Sequence, residues 1–346
     1  MIRGTNGERT GLGLEDGPAA HRTGAPYAEG TGRPGRFAVK RIVTLTMNPA
    51  VDVTARTDHV SPDRKLRVRD VRRDPGGGGI NVARAVHELG GEVEACYLAG
   101  GATGELLDEL LAAEGVARRR VAVEGHTRQN VTVTDESGDR QYRFVMPGPE
   151  ISGAEGERAL EGALEASPEL LVASGSLPPG AGDDFYARLA EACRGRGIEL
   201  VLDTSGDALV RALEVGVHLV KPNLRELAAL AGRDIEDDRD LEAVARRLVE
   251  DGGAAVVAVS LGSGGLLLVD ADGCRHVKAP SVPIRSKVGA GDSAVAGLVL
   301  ALARGDDLDV AARWAVAAGA AAVMTPGTEL CRRDDVERLV SRMAAG

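Results

Sequence analysis

The feature that most constrains the fold is a regular alternation of short apolar runs with longer amphipathic stretches. Helical stretches such as Tyr186–Cys193 and Leu241–Val249 separate runs of strand length. This alternation is typical of βαβ units, in which helices cover both faces of a parallel sheet. We therefore predict an α/β fold with a mostly parallel central sheet. The predicted strands are Arg41–Met47, Leu170–Ala173, Leu200–Leu202, Val217–Val220 and Ala255–Ser260.

Two segments, 51–74 and 126–146, interrupt this alternation. In the second, Val131 and Val133 and later Tyr142 and Phe144 lie two residues apart. This period predicts half-buried antiparallel strands. We predict a small β lid from these two segments and an α/β core from residues 39–50, 75–125 and 147–346. The apolar face of the lid needs a cover, either the active-site cleft or the lid of a second subunit, so we also predict a homodimer formed through the lids.

Residues 1–38 are rich in Gly, Thr, Arg and Pro and have almost no aliphatic periodicity. Such a segment cannot bury enough apolar surface to offset the entropy lost on ordering. We predict a disordered N-terminal extension. A regulatory tail and a stretch translated from an upstream start codon remain alternative interpretations.

The composition disfavours several classes of partner. The chain has 42 basic and 52 acidic residues, and its formal net charge is −10. Nucleic acids and anionic membrane surfaces repel such a protein, and no apolar run approaches the roughly 20 residues of a membrane span. Its four cysteines are far apart and show no zinc-binding spacing, which indicates reduced thiols. We predict a cytoplasmic protein that binds neither nucleic acid nor membrane.

A glycine turn at 288–293 points to the chemistry. The backbone N–H groups of Gly289, Ala290 and Gly291 precede an apolar helix, whose dipole reinforces their affinity for an anion. Asp292 follows directly and can accept a hydroxyl proton while these donors hold a phosphoryl group. An ordinary loop can have the same sequence, so the interpretation depends on the other sites.

A second glycine-rich segment, Gly76–Gly79, is followed closely by Asn81. It does not match the dinucleotide-binding fingerprint, and no lysine has the Gly-Lys-Ser/Thr context of a P-loop. Glycines without side chains let the backbone approach a polyol, and Asn81 can both donate and accept hydrogen bonds. Asp52, after the first strand, can bind sugar hydroxyls. The alternatives are a flexible turn for the glycines and a surface carboxylate for Asp52.

Two further segments follow predicted strands. Asn223 and Glu226 lie three residues apart at the start of a helix and can orient hydrated Mg²⁺ near phosphates. A helix cap with Glu at its third position has nearly the same pattern. The loop 260–265 can lie along the phosphates or ribose of a nucleotide, although any tight turn would look similar.

Together these segments resemble the PfkB-type carbohydrate kinases, which have a ribokinase-like fold, from about Arg41 to Leu339. The resemblance implies a three-layer α/β/α domain with a small β-sheet lid. The all-glycine quartet resembles the members that phosphorylate fructose 6-phosphate, because those acting on fructose 1-phosphate or tagatose 6-phosphate usually have Gly-Gly-Lys-Gly there. The stretches that carry the resemblance are Asp74–Arg84, Ala99–Glu105, Thr127–Asn130, Gln141–Gly148, Ser174–Gly180 and Val288–Asp292.

The resemblance also implies roles for individual residues. Asp292 would be the catalytic base, with Gly289, Ala290 and Gly291 as the anion hole. The implied ATP-binding residues are Lys221, Asn223, Ser260, Gly262 and Gly265, and Mg²⁺ would be held through water by Asn223 and Glu226. The implied sugar-binding residues are Asp52, Gly77, Gly78 and Asn81, and those for its phosphate are Lys65, Arg67, Arg128, Arg143 and Ser176. A K⁺ site near Ser286 to Val288 is implied by kinship alone.

Arginine suits the phosphate role because its planar guanidinium donates two parallel hydrogen bonds. Solvated strand faces would also explain each arginine singly. The predicted function is ATP-dependent phosphorylation of fructose 6-phosphate at its 1-hydroxyl. Fructose 1-phosphate, tagatose 6-phosphate and a nucleoside are alternative acceptors. A non-catalytic nucleotide or sugar sensor is the alternative from another class, and the intact Asp292 argues against it.

Overall fold

The computed structural model describes residues 39–138 and 140–344, so the predicted extension at 1–38 lies outside the described residues. Strands and helices are numbered along the chain. The larger of two sheets contains β1 (Ile42–Thr46), β4 (Val93–Ala99), β5 (Ala117–Ala122), β8 (Leu170–Ser174), β9 (Glu199–Asp203), β10 (Val217–Val220), β11 (Ala254–Ser260), β12 (Leu266–Asp270) and β13 (Gly273–Val277). The smaller contains β2 (Ala50–Thr57), β3 (Arg69–Gly76), β6 (Arg128–Asp135) and β7 (Arg140–Phe144).

The nine strands of the larger sheet follow the order β13-β12-β11-β10-β9-β8-β1-β4-β5. The strands from β11 to β5 are parallel, and β12 and β13 continue the sheet as antiparallel neighbours. The mostly parallel sheet predicted from the sequence is therefore confirmed. The chain runs from β1 outward to β4 and β5 and later returns to β8 on the other side of β1. The order of the strands thus reverses between β1 and β8.

Helices cover both faces of this sheet. One layer contains α1 (Gly78–Glu88), α2 (Gly101–Ala113), α8 (Ala290–Ala303), α9 (Leu308–Val323) and α10 (Arg333–Ala344). The other contains α3 (Gly153–Glu165), α4 (Phe185–Arg196), α5 (Asp207–Val215), α6 (Leu224–Ala231) and α7 (Asp238–Glu250). The result is the predicted three-layer α/β/α architecture. No helix of the described residues is both long enough and apolar enough to cross a membrane.

Small side chains set the position of α8, which matters because its first turn carries Asp292. At Gly297, a Cβ atom would lie only 2.8 Å from the carbonyl carbon of Trp314 in α9. Much of α9 consists of alanine, and all of these alanines are buried. Since aromatic residues make up only 2% of the chain, close packing of small and branched residues forms the core.

The smaller sheet has the order β3-β2-β6-β7. The pairs β2–β3 and β6–β7 are antiparallel, but β2 and β6 are parallel along their whole length, from Ala50 opposite Arg128 to Thr57 opposite Asp135. The expectation of purely antiparallel strands was therefore wrong for the central pair. Strand β2 begins at Ala50 and β3 ends at Gly76, slightly beyond the predicted segment 51–74. The division of the chain into a core and a lid stays a prediction.

Candidate active site

The predicted site residues gather at the carboxyl ends of the parallel strands. Ser176, Lys221 and Ser260 lie at or just after the ends of β8, β10 and β11, and Asp52 lies on β2, the strand that follows β1. In open α/β sheets, ligands bind at this edge, where the strand order reverses. The glycine quartet lies at that reversal, because the backbone of Gly78 abuts Ser174 and Gly175 at the end of β8.

The quartet is crowded rather than open. A Cβ atom on Gly77, whose φ is 113°, would lie 2.8 Å from Thr46, and one on Gly78 would lie 2.9 Å from the carbonyl carbon of Ser174. Gly76 faces the carboxylate of Asp52, and Gly79 faces the last residues of β1. Distances below 3.0 Å to a Cβ atom are essentially never found, so Gly77, Gly78 and Gly79 need glycine on steric grounds, whereas Gly76 is crowded only by the Asp52 side chain. The alternative of a merely flexible turn does not explain this crowding.

Asp292 is the third residue of α8 and lies in its first turn, which begins after the N-cap Gly289, whose φ of 73° is left-handed. The side-chain amide of Asn81 donates to its carboxylate, with Nδ2 and Oδ2 2.8 Å apart. Loss of hydration raises the pKa of Asp292 to about 6, and the nearby Asp203 carboxylate adds to this rise. Asn81 and the ammonium of Lys221 act in the opposite direction. The structure thus brings together a partly buried carboxylate, a positive charge and the N-terminus of a helix.

Lys221 is almost fully buried, with 6% of its surface exposed. Its Nζ lies 3.1 Å from Oδ1 of Asp203, at the end of the adjacent strand β9. Burial lowers the pKa of Lys221, but the carboxylates of Asp203, Glu226 and Asp292 outweigh it and raise the pKa above its ordinary value. The ammonium also lies close to Gly291: a Cβ atom placed on this glycine would be 4.0 Å from Nζ of Lys221. Lys221 therefore carries a positive charge beside the glycine turn.

Asn223 and Glu226 form a capping box at the start of α6. Oδ1 of Asn223 accepts from the backbone N–H groups of Arg225 and Glu226, at 2.9 and 3.0 Å. Oε2 of Glu226 accepts from the backbone N–H of Asn223 at 2.8 Å. The helix-cap alternative therefore describes this motif in the structure. It leaves the second carboxylate oxygen of Glu226 as the remaining acceptor.

This donor set bears on how Mg²⁺ would be held. Within the described ranges, no group of three or more His, Cys, Asp or Glu side chains is arranged to hold a metal ion. Mg²⁺ in phosphoryl-transfer sites usually keeps several waters and is bound by one or two carboxylates together with the substrate phosphates. One free oxygen of Glu226 fits a hydrated ion of this kind, brought in with ATP, better than it fits a cage of protein ligands.

The loop predicted to contact the nucleotide is short. After β11, residues Gly262–Gly264 form one turn of 3₁₀ helix, and Gly262 and Gly265 have positive φ angles of 58° and 97°. A single β-bridge joins Ser260 to Asn223, which places the loop beside the start of α6. The structure thus brings the loop next to Asn223, as the predicted nucleotide site requires.

The opposite side of the cleft contains Asp52. Its Oδ1 accepts from Nδ2 of Asn130 at 2.8 Å. Burial raises the pKa of Asp52, while the hydrogen bond from Asn130 and the charges of Arg128 and Arg143 oppose the rise. This carboxylate is shielded and faces positive charges, so the alternative of a solvated surface group does not describe it.

Two predicted phosphate-binding residues, Arg128 and Arg143, act on this carboxylate through their charges, and Ser176 is linked to Arg128 through Asn48. Arg128 donates to the backbone carbonyls of Asn48, at 2.8 Å, and Met146, at 3.0 Å. Ser176 accepts from the Asn48 amide at 3.2 Å. Burial lowers the pKa of the Arg128 guanidinium, and its Nε has no hydrogen-bond partner among the described residues. Exposed Arg143 lies on β7 and acts on Asp52 through its charge.

Lys65 and Arg67 lie in the exposed segment between β2 and β3. In the described part of the chain, no side-chain hydrogen bond or ion pair joins them to the group around Arg128. The backbone carbonyl of Arg67 does accept from Thr57 at 3.2 Å, so the segment is anchored to the lid sheet.

Sequence reasoning missed three residues that contact the predicted site. Asp203 was overlooked although a carboxylate that directly follows a buried strand, at the same edge as Lys221, is a usable signal. Asn130 ended one of the segments that carried the resemblance but received no role. Asn48 contacts Ser176 because β1 and β8 are neighbours, and it contacts Arg128 because β2 pairs with β6; the sequence positions show neither pairing.

Comparison with known proteins agrees with this geometry. Residues 42–335 match the pfkB family of carbohydrate kinases, and the chain belongs to that family. The chain is 46% identical over 301 residues to the ATP-dependent 6-phosphofructokinase isozyme 2 of Mycobacterium tuberculosis, which covers 86% of this chain and 88% of the relative. It is 44% identical over 306 residues to the ATP-dependent 6-phosphofructokinase isozyme 2 of Escherichia coli K12; the match covers 88% of this chain and 99% of the relative. The chain is 33% identical to the 1-phosphofructokinase of E. coli K12; the match covers 88% of this chain and 97% of the relative.

Crystal structures of phosphofructokinase-2 from E. coli have the same fold. The complex with potassium superposes with a TM-score of 0.86 at 43% identity, covering 88% of this chain and 99% of the other. The complex with fructose-6-phosphate gives 0.83 at 42% identity and the same coverage. A further structure is described as the tetrameric inhibited form, with a TM-score of 0.84 at 43% identity and the same coverage.

Proposed function

We propose that this chain transfers the γ-phosphoryl group of ATP to the 1-hydroxyl of fructose 6-phosphate, giving fructose 1,6-bisphosphate and ADP. The observation that carries the proposal is the position of the Asp292 carboxylate. It lies in the first turn of α8, within hydrogen-bond distance of Asn81 and close to the buried ammonium of Lys221. A base and an anion-binding helix terminus in one cleft are the two parts that phosphoryl transfer from ATP to an alcohol needs.

In the proposed step, the oxygen of the 1-hydroxyl forms a bond to the γ-phosphorus as the bond from phosphorus to the β,γ-bridging oxygen breaks. Asp292 accepts the hydroxyl proton, and ADP leaves with the bridging oxygen. With a pKa of about 6, the carboxylate is mostly ionised at neutral pH. Its affinity for a proton is nevertheless higher than that of an ordinary aspartate, which suits a general base near pH 7.

The backbone N–H groups of Gly289, Ala290 and Gly291 would hold the transferred group. These donors belong to the unpaired first turn of α8, where the helix dipole favours negative charge. The ammonium of Lys221 would neutralise the ATP phosphates from the other side, with Asn223, Ser260, Gly262 and Gly265 beside the nucleotide. Mg²⁺ bound to ATP, held through water by the free carboxylate oxygen of Glu226, would neutralise further phosphate charge, and Asn223 would act through the capping box that fixes Glu226.

The acceptor side favours a phosphorylated sugar. Asp52, Asn81, Gly77 and Gly78 would bind the hydroxyl groups, because two polar side chains there face a backbone with no side chains to block approach. Arg128, Arg143 and Ser176 would bind the 6-phosphate, joined by Lys65 and Arg67 when the lid closes. Closure also excludes water, which otherwise competes with the sugar as acceptor.

Fructose 1-phosphate is the second candidate acceptor, since a relative of 33% identity is named a 1-phosphofructokinase. The isozyme 2 relatives are more similar, at 44 and 46%. The all-glycine quartet also supports fructose 6-phosphate, because the crowding at Gly78 and Gly79 leaves no room for a lysine side chain. Tagatose 6-phosphate is a further alternative, and a non-catalytic sensor is the least favoured.

One assay tests these alternatives. ADP release with MgATP is measured across fructose 6-phosphate, fructose 1-phosphate, tagatose 6-phosphate and ribose, in buffers of K⁺ and of tetramethylammonium. We expect the highest kcat/KM with fructose 6-phosphate and almost none with ribose, which has no phosphate for the arginines. Higher kcat/KM with fructose 1-phosphate would reassign the acceptor. No ADP release with any sugar would favour the sensor.

The comparison of the K⁺ and tetramethylammonium buffers tests whether activity depends on K⁺. We propose that a monovalent cation binds near residues 286–288, as a relative is known in complex with potassium. Buried Ser286 donates to the carbonyl of Gly327 at 2.6 Å, which holds this segment against the loop 325–329. Backbone carbonyls are suitable ligands for K⁺, and Gly327 would supply one beside this segment. Equal kcat in both buffers would count against this site.

We also propose that two copies associate through their lids. Of the nine exposed large apolar side chains among the described residues, six lie in or beside the small sheet. They are Leu66, Val68, Val71, Phe144, Val145 and Met146, with 39 to 65% of their surfaces exposed. An apolar group of this kind is typical of an interface.

A further inference from the structure

A buried arginine lies behind the site, on the side of Asn81 away from Asp292. Arg84 is one helical turn after Asn81 in α1, so both side chains occupy the same face of the helix. Only 8% of Arg84 is exposed. Its Nε and one terminal nitrogen donate to the two carboxylate oxygens of Glu114, at 2.6 and 2.7 Å. This bidentate pair fixes the plane of the guanidinium.

The remaining terminal nitrogen of Arg84 points toward the site. It donates to the carbonyl of Pro75 at 3.0 Å and to Oδ1 of Asn81 at 3.4 Å. Pro75 directly precedes the glycine quartet. The same nitrogen therefore contacts both the start of the quartet and the residue that donates to Asp292.

This contact bears on the orientation of the Asn81 amide. An asparagine can present either its NH₂ group or its oxygen to a neighbour, and the surrounding network decides which. With the observed orientation, the NH₂ group faces the Asp292 carboxylate and the oxygen faces the guanidinium. A flipped amide would place NH₂ against the N–H donors of Arg84 and oxygen against a carboxylate, so both contacts would become repulsive.

We propose that Arg84, held by Glu114, is a positioning residue that fixes the Asn81 amide so that its NH₂ group donates to Asp292. Arg84 itself touches neither substrate nor the reacting atoms. The inference rests on the proposed function, because it matters to catalysis only if Asp292 is the base. Its effect on Asp292, however, can be measured without turnover.

The sign of the effect follows from the groups that face Asp292. The carboxylates of Asp203, at the end of β9, and Asp52, on β2, favour the protonated form, as does burial. The ammonium of Lys221 and the Asn81 hydrogen bond favour the ionised form. If Asn81 is no longer held, the pKa of Asp292 rises further. The base then ionises only at higher pH.

The test compares Arg84→Lys with wild type. The pH dependence of kcat is measured with saturating MgATP and acceptor, and the Asp292 carboxyl is titrated by ¹³C NMR, assigned by its absence in Asp292→Asn. We expect the acidic limb of kcat and the NMR titration both to move up by about 0.5–1 pH unit, the loss of part of a hydrogen bond to a charged group. Asn81→Ser should shift both at least as far, and adding Arg84→Lys to it should cause no further shift.

Glu114→Gln is the second variant, because Glu114 is partly exposed and its loss perturbs the fold less than loss of the buried arginine. It should move the titration in the same direction by a smaller amount. Arg118→Lys is the matched control, since Arg118 makes a similar two-point contact with Asp108 far from the cleft. It should leave both measurements unchanged.

The outcomes separate the two claims. A change that merely loosens the fold lowers kcat equally at every pH and leaves the titration in place. An unshifted Asp292 titration in both Arg84→Lys and Glu114→Gln would overturn the inference and leave the proposed function intact. A shifted titration without any acidic limb in wild-type kcat would support the positioning of Asn81 and remove Asp292 from the role of base.

Discussion

At the scale of residues, the site depends on side chains that are distant in sequence. Asp292 could be selected from the sequence because its turn is local: glycines, carboxylate and helix start within six residues. Asp203 could not be selected with the same ease, because its effect on Asp292 and Lys221 arises only when β9 and β10 become neighbours in the sheet. The sequence therefore predicts Asp292, Lys221 and Asp52 as site residues, but not the Asp203 carboxylate that raises the pKa of Asp292.

The first prediction concerns Asp292→Asn. Asparagine keeps the shape of the side chain but cannot accept a proton at neutral pH, so kcat should fall by at least about 10²-fold with little change in the affinity for ATP. Steady-state kinetics and calorimetric ATP binding would check this. Near-normal turnover would exclude Asp292 as the base.

Although its kcat should fall, the Asp292→Asn variant should have a higher free energy of unfolding than wild type. A raised carboxyl pKa means that the folded state binds the proton more tightly than the unfolded chain, so this group contributes stability at low pH that is lost as pH rises through about 6. Removing the charge relieves that loss at pH 7.5. A gain of roughly 1 kcal/mol would raise the melting temperature by about 2–4 °C. A lower melting temperature would instead attribute the lost activity to misfolding.

At the scale of elements, the local sequence predicted helix starts and turns but did not decide between a structural and a ligand-binding role for them. The pattern at Asn223 and Glu226 fitted both a helix cap and a magnesium site, and in the structure both side chains cap α6. The glycine quartet fitted both a flexible turn and a close approach to a ligand. The steric reason for glycine became visible only when α1 was placed against β1 and β8, since the atoms nearest to Gly78 and Gly79 belong to the ends of those strands.

The second prediction is that Gly78→Ala damages the site whereas Gly195→Ala does not. A methyl group at Gly78 would meet the backbone of Ser174 and Gly175, so α1 must shift, carrying Asn81 with it. We expect a destabilisation of about 1–3 kcal/mol and a fall in kcat/KM of about 10²-fold, typical of overpacking and of misplacement near 1 Å.

Gly195 lies in helix α4, where a Cβ atom would meet nothing within 4 Å. Alanine there should keep kcat/KM and raise the free energy of unfolding by about 0.5–1 kcal/mol, the difference in helix propensity. Chemical denaturation and steady-state kinetics measure both variants. Equal behaviour of the two would show that the quartet is not sterically restricted.

At the scale of the whole molecule, the centre of the sheet was predictable and its edges were not. Central strands such as β8 and β11 are buried on both faces and appear as continuous apolar runs. Edge strand β5 contains three successive arginines and has no such signature. The parallel pairing of β2 with β6 was also hidden, because it joins residues nearly 80 positions apart, and alternation along one strand does not reveal the direction of its neighbour.

The last prediction concerns assembly through the lid. In a two-fold symmetric dimer, the same patch is contributed by both subunits, so a charge placed in the interface is present twice. We expect the wild-type chain to elute as a dimer or a multiple of it in size-exclusion chromatography with light scattering, and Phe144→Lys to shift it toward the monomer. Because Arg143 is adjacent and Arg128 lies on the neighbouring strand, KM for fructose 6-phosphate should rise in the variant more than KM for ATP.

Val39→Lys, which alters an equally exposed side chain away from the lid, should change neither mass nor KM. A monomeric wild-type chain with full activity would refute association through the lids and leave the cleft itself to cover their apolar face.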